Sequence, residues 1–406
     1  MIDILVAGGG YVGLSLAVAL KKAAPHLVVE LVDPAPAGAW QRDERASALV
    51  AAARNLLAVL GVWDKIEPEA EPIRRMVITD SRAGDPVRPV FLTFEGAGTT
   101  EEGQPFAHMV PNKAVTGSLL EAAGSLSLPV HWETSVVDFA TGPHLTEVTL
   151  SNGEARQAKL LIACDGVRSK LRDIAGIKTV RFEYGQSGIV TTVEHERPHE
   201  GTAEEHFLPA GPFATLPMTG NRSSLVWTER TEDANRLIES DDLVFEEELE
   251  RRFGHKLGTL RVVGGRKAFP LGLTLARAFV APRFALAGDA AHGIHPISGQ
   301  GLNLGFKDVA ALAETIVEAD RLGLDIGSLS VLERYETWRR FDTFRMGVTT
   351  DVLNRLFSND VTPVRVVRDL GLGIVDRLPG LKSFFIRQAE GLTGRNQPRM
   401  LVGEAI

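Results

Sequence analysis

The feature that most constrains this chain is a glycine triad set between a strand and a helix: Gly8-x-Gly10-x-x-Gly13 within IDILVAGGGYVGLSLAVALKKAAPHLVVELVD. A β-branched run enters the glycines, an Ala/Leu-rich helical stretch leaves them, and VVELV closes the unit, the alternation of a parallel βαβ element. Each glycine answers a different demand. Gly8 permits the tight turn, Gly10 lets backbone approach a pyrophosphate, and Gly13 lets the helix pack closely on the sheet. The pyrophosphate sits on the helix N-terminus, where unpaired N–H groups point at the anion. Asp33, 20 residues after Gly13 at the end of the second strand, is placed to accept hydrogen bonds from an adenosine ribose. The triad predicts dinucleotide binding and does not separate NAD from FAD.

A second glycine-rich segment lies far along the chain: Gly288-Asp289-Ala290-Ala291-His292, then Pro296, then Gly299-Gln300-Gly301-Leu302-Asn303. A strand ending in Gly-Asp puts a carboxylate at the C-terminal edge of a sheet, where ligands bind in open α/β folds. The following turn launches a helix whose dipole favours a negatively charged ring, such as the pyrimidine side of a reduced flavin. Between the two segments, Ala163-Cys164-Asp165-Gly166 again runs a strand into Asp-Gly, which taken alone is equally ordinary turn chemistry.

Length and charge bound the rest. At roughly 150 residues per domain, 406 residues imply two to three domains. The chain has 40 glycines where average usage predicts roughly 28, a surplus without a collagen period. With 44 basic and 52 acidic residues the net charge is −8, which argues against a general nucleic-acid binder. The single cysteine, Cys164, permits no internal disulfide. Residues 4–20 are almost uncharged, yet no basic segment precedes them and four glycines interrupt them. No other run reaches the roughly 18 apolar residues of a membrane span, so a soluble, cytoplasmic chain is expected.

Residues 44–62 read as a helix with Gly61 as its C-cap, and residues 72–104 as short β-prone pieces. Helical spacing returns in KAVTGSLLEAAGSL, a hairpin turn is expected at Ser151-Asn152-Gly153, and residues 180–229 are β-rich. DDLVFEEELERRFG reads as an acidic helix. From Val331 the chain is helix-like and carries 12 Lys/Arg against 9 Asp/Glu, a local charge of +3. His292 and His295 are three apart, but no Cys/His/Asp cluster completes a tetrahedral metal set. No Gly-x-Ser-x-Gly elbow supports a hydrolase.

With its three motifs in this order, the sequence resembles the class A FAD-dependent aromatic monooxygenases, and more narrowly the ubiquinone-biosynthesis hydroxylases of the UbiH/UbiF/VisC type. The narrower resemblance rests on GDAAHGIHPISGQGLNLGFKD, DERASAL at 43–49, GTAEEHFLPAGPFATLP at 201–217 and YETWRRFDTFRMGVTTDVLNRLFS. It spans essentially the whole chain. It implies a mixed α/β fold: a Rossmann-like FAD-binding domain of the p-hydroxybenzoate-hydroxylase type, a β-sheet substrate domain and a C-terminal helical region. The expected segments are 1–70, 100–175 and 265–330 for FAD, 71–99 and 176–264 for the substrate domain, and 331–406 for the helical region.

The resemblance places FAD on Gly8, Gly10, Gly13, Asp33, Arg45 and Asn112, with the backbone of Val136 near adenine. Asp289, after Gly288, is expected at the ribityl chain, and Pro296, Gly299, Gln300, Gly301, Leu302 and Asn303 along the isoalloxazine ring. Asp165 and Gly166 are associated in the family with both FAD and NAD(P)H. The implied chemistry consumes NAD(P)H and dioxygen and hydroxylates a polyprenylated phenol through a flavin hydroperoxide, with no side-chain nucleophile and no catalytic residue assigned. Cys164 and Ser298 stand where alanine is common in the family, and Asp33 where Glu is frequent. Leu353, Leu356, Phe357, Phe384 and Phe385 suit contact with the inner membrane or with a biosynthetic complex, or packing as a helical cap on the core. A hydroxylase of another small aromatic and a flavin-binding scaffold stay open as alternatives.

Overall fold

A computed structural model describes residues 1–80, 90–95, 105, 107–294, 300–340, 343 and 397–406. Its first body is built on an eight-stranded sheet. Five strands lie side by side in parallel: Phe284–Leu286, Ala155–Ala163, Ile2–Ala7, Val29–Val32 and Val130–His131. Within Ile2–Ala7, residues Ile4–Ala7 form a continuous buried apolar run rather than an alternating one because both faces of the sheet are covered there. The helix Tyr11–Ala23 crosses over one face, with Gly13 through Leu20 all buried against the helices Asn112–Ser125 and Gln300–Arg321. Thr146–Leu150 returns antiparallel along Ala155–Ala163 through the turn at Ser151-Asn152-Gly153, where Gly153 takes φ 85°.

A second sheet has nine strands in the order His292–Gly293, Lys267–Ala276, Thr179–His195, Arg222–Arg230, Gly211–Met218, Thr202–Leu208, Arg75–Asp80 and Val90–Glu95, with Leu260–Val262 joining Thr179–His195 at its far end. The helices Thr231–Glu239 and Asp242–Phe253 cover one face, burying Ile189, Phe213, Leu225, Trp227 and Phe245 in a core of their own. Alternation along the strands sends the intervening residues to the other face. That face turns toward the first body, whose core includes Ala203 and is packed by Leu216. A small third sheet, Ala46–Val50, Ala107–Pro111 and Glu71–Ile73, lies between.

Two expectations are corrected. Residues 46–50 are a strand, not the first turns of a helix: Ala46 to Val50 pair in register with Pro111 to Ala107, and the helix occupies only Ala51–Leu60 before Gly61 ends it at φ 78°. Long-range pairing overrides the local helical preference of an Ala-rich stretch. The second sheet also continues past the expected boundary at 265, through Lys267–Ala276 to His292–Gly293. Of the C-terminal region, residues 329–340 are helical and Met400 and Leu401 plug into the first core. Leu353, Leu356, Phe357, Phe384 and Phe385 lie outside the described residues.

Candidate functional site

Register brings the three motifs together. Ala7 pairs with Val32 on one side and Ala163 on the other, and Ala163 pairs with Leu286. Gly8, Asp33, Cys164 and Ala287 therefore leave the sheet at one level, its C-terminal edge, the usual binding edge of such sheets. The ladder persists one residue further: the N–H groups of Gly8, Cys164 and Ala287 donate to Val32 O, Ala7 O and Ala163 O at 2.8, 2.7 and 3.0 Å.

The glycines divide the work. Gly8 has φ 117°, and a Cβ there lies 2.3 Å from Cys164 O; a Cβ on Gly13 lies 1.9 Å from Gly8 O. Both are required by the protein itself. Gly10 has nothing within 4 Å of its Cβ position, so that side is open for a ligand. No side chain caps the helix at Gly10, which leaves first-turn N–H donors for an anion. Asp33 braces the turn, its Oδ2 accepting from Gly9 N–H at 2.6 Å and its Oδ1 from Ala35 N–H at 2.7 Å.

These elements wall a cavity of about 1130 Å³ between the two sheets, above the roughly 300–1,000 Å³ of drug-sized sites. Of the expected contacts, Gly10, Gly13, Asp33, Arg45, Gly166, Asp289, Gly301 and Leu302 line it. Gly8 and Gly288 shape its turns, Gly288 with φ 63°. Asn112 and Asn303 stand behind the wall. Asn112 Oδ1 accepts from Ser47 Oγ at 2.7 Å, and Asn303 accepts from Val50 N–H at 3.1 Å and donates to Ala48 O at 2.8 Å, anchoring the strand that carries Ser47. Val136 is buried in the first core and Asp165 accepts from Leu171 N–H at 3.4 Å; neither lines the cavity. Gln300 opens the helix Gln300–Arg321, while Pro296, Ser298 and Gly299 lie outside the described residues.

The charges in the wall are arranged as opposites. Arg45 grips Asp43 with two hydrogen bonds of 2.8 Å, Nε to Oδ1 and Nη2 to Oδ2. Burial pushes the Asp43 carboxyl up, but those bonds and the Arg45 charge outweigh it and hold the group below its ordinary value. Asp289 opens to the cavity, yet the enclosing walls raise its carboxyl, with His292 and Arg45 opposing the rise. Burial likewise raises the Tyr11 hydroxyl and the Cys164 thiol, both on the cavity wall.

Sequence reading missed the groups that hold the Gly288-Asp289 turn from behind. Asp308 is fully buried and accepts from Gly288 N–H at 2.9 Å, from His292 Nε2 at 2.5 Å and from Arg339 Nε at 2.8 Å. Burial raises its carboxyl, but His292 and Arg339 prevail and lower it. Arg172, also fully buried, donates to Ala290 O at 2.8 Å and to Val167 O at 3.2 Å, tying the Asp165-Gly166 loop to the Gly288-Asp289 loop. The available signal was a charged residue within an apolar helix face, as in GFKDVAALA, because such a residue must be paired to be buried.

Comparison with known proteins agrees with this geometry. A family model described as an FAD binding domain matches residues 1–341. Ubiquinone hydroxylase UbiL of Rhodospirillum rubrum is 44% identical over 405 residues, 99% of this chain and 92% of that protein. The 3-demethoxyubiquinol 3-hydroxylase of Escherichia coli is 35% identical, covering 96% of this chain and 98% of its own. Among solved structures, p-nitrophenol 4-monooxygenase PnpA from Pseudomonas putida DLL-E4 superposes with a TM-score of 0.80 at 20% identity, over 98% of this chain and 99% of that one, and shares the fold. A glycine turn open to a ligand at Gly10, a cavity of dinucleotide size and these whole-length relatives place the chain in the family of FAD-dependent aromatic monooxygenases that contains the ubiquinone-biosynthesis hydroxylases.

Proposed function

We propose that this enzyme hydroxylates the aromatic ring of a polyprenylphenol intermediate of ubiquinone biosynthesis. The observation that carries the reading is 44% identity to a ubiquinone hydroxylase along nearly the whole chain, joined to a cavity whose two walls come from the two sheets. The reaction takes one oxygen atom of dioxygen into the ring in place of hydrogen, and the other leaves as water at the expense of NAD(P)H. Bound FAD supplies the electron transfer and oxygen activation that side chains lack.

The residues of the chain bind, orient and keep water out. In this reading the open side of Gly10 and the first-turn amides of Tyr11–Ala23 take the pyrophosphate, Asp33 the adenosine ribose, and Asp289 the ribityl chain. Gly301 and Leu302 would border the ring, and Gly166 lines the same cavity. Arg45, locked by Asp43, keeps a fixed positive charge on the wall. The second sheet lines the cavity with the buried Leu271 and Leu273, apolar groups that keep water from the reacting oxygen. A polyprenyl tail partitions into lipid, so the reading includes contact with a membrane surface; no helix among the described residues is long and apolar enough to cross one.

Mass spectrometry of quinone intermediates in a deletion strain tests the proposal. Accumulation of a prenylphenol lacking one ring hydroxyl is expected. Normal ubiquinone with no accumulated prenylphenol would instead assign the cavity to another aromatic.

A further inference from the structure

The two faces of the second sheet are unlike. One is packed under helices; the other carries a register row of five half-buried residues, one per strand: Val190, Val226, Ala214, Glu205 and Ile78. The row faces the first body, since Ala203, two residues from Glu205, belongs to that core, and Leu216, two from Ala214, packs on it. At one end Val190 shares a small cavity with Arg45 and Phe269, and Arg45 also lines the large one. Arg45 thus stands between the Val190 end of the row and the site already described.

Four of the five residues are apolar. The fifth is a carboxylic acid whose Oε1 is buried with no hydrogen-bond partner among the described residues. Thr228, two residues from Val226 on the same face, has its Oγ1 in the same condition. The space for it comes from Gly211, where a Cβ would lie 2.4 Å from Thr228 Cγ2. Unsatisfied buried polar groups cost stability, so their retention points to a function. Burial alone pushes the Glu205 carboxyl up to about 8. A carboxyl that is mostly neutral at pH 7 both donates and accepts, as a phenolic hydroxyl does.

We infer that Glu205 contacts the substrate and determines its specificity, hydrogen-bonding the ring hydroxyl of the phenolic acceptor while the ring lies along the apolar row from Val190 to Ile78. The inference rests on the function proposed above and adds a residue to it. No bond is made or broken by Glu205; it selects and orients the ring.

The test uses FAD-loaded enzyme and two probes, 2-(3-methylbut-2-enyl)phenol and the same molecule without its hydroxyl, (3-methylbut-2-enyl)benzene. Their binding is read from perturbation of the flavin absorbance. Wild-type enzyme is expected to prefer the phenol by about tenfold or more. Glu205→Leu, with wild-type flavin content, should bind the two probes alike. A Glu205→Leu enzyme that keeps the full preference overturns the inference and leaves the proposed function standing. A wild-type enzyme that holds FAD and binds neither probe overturns both.

Infrared difference spectra make the test independent of how Glu205→Leu folds. The phenol, but not the hydrocarbon, should shift a protonated-carboxyl band that Glu205→Gln lacks. An unshifted band also overturns the inference.

Discussion

The Asp308 carboxylate accepts a hydrogen bond from the Gly288 amide at 2.9 Å, across twenty residues of chain. A helix interior thereby fixes the turn that presents Asp289 to the cavity. The same carboxylate pairs with His292 and Arg339, so its negative charge is fully compensated in a dry site.

Asp308→Asn keeps the shape and removes the charge. It should lower stability by about 3–5 kcal/mol and weaken FAD retention, seen in thermal melts and flavin titration. Folding lowers the carboxyl of Asp308, so its contribution is complete above the unfolded value of about 4. It is lost as pH falls through the lowered folded value. The acid limb of the wild-type stability curve should therefore be steeper than that of the variant.

Gly10 and Gly13 should separate binding from folding. Gly10 has an ordinary φ of −72° and open space at its Cβ position, so Gly10→Val should melt within about 1 kcal/mol of the wild type before FAD is added, yet take up little flavin. Gly13→Ala drives a methyl into Gly8 O and should lose stability directly. Normal flavin content in Gly10→Val contradicts the assignment of this turn to the pyrophosphate.

Asp289→Asn should lose FAD affinity by about tenfold or more, through loss of a charged acceptor, without a loss of apo-protein stability at neutral pH. Its carboxyl is raised by folding, so the folded chain holds that proton more tightly than the unfolded one. Stability then declines as pH climbs from about 4 through the raised value, and the amide removes this decline. Unchanged flavin retention shows that Asp289 does not hold the cofactor.

Glu205 follows the same sign with a wider window. Between its ordinary value of 4.5 and about 8, ionisation favours the unfolded chain. Melts of Glu205→Gln from pH 5 to pH 8 should be flatter than those of the wild type. Parallel curves show that the carboxyl is solvated.

Local chemistry was legible in the sequence. The Gly8 to Gly13 turn, the helix after it and the acid at Asp33 all sit in one short βαβ unit, so spacing alone implies their arrangement. Ala46–Val50 was not legible as a strand, because its partner Ala107–Pro111 lies about sixty residues away and its own composition favours a helix. Val136 packs its side chain in the first core, while the expected approach to adenine concerns its backbone. The Asn303 side chain holds backbone, and that of Asn112 bonds the Ser47 and Asp43 side chains, partners that residue type and motif position do not reveal. Asp308 and Arg172 act through contacts that exist only once distant segments meet.

The parallel sheet also has an assembly order. Its strand Phe284–Leu286 inserts beside Ala155–Ala163 only after the whole central run of the second sheet has been made, and Arg339, which completes the pairing of Asp308, comes later still. On a ribosome, which releases the chain from the N-terminus, the Gly10 turn emerges almost at once and then waits for most of the protein. A chain truncated before residue 284 therefore carries the Gly10 turn without the strand and loop that complete the cavity around it.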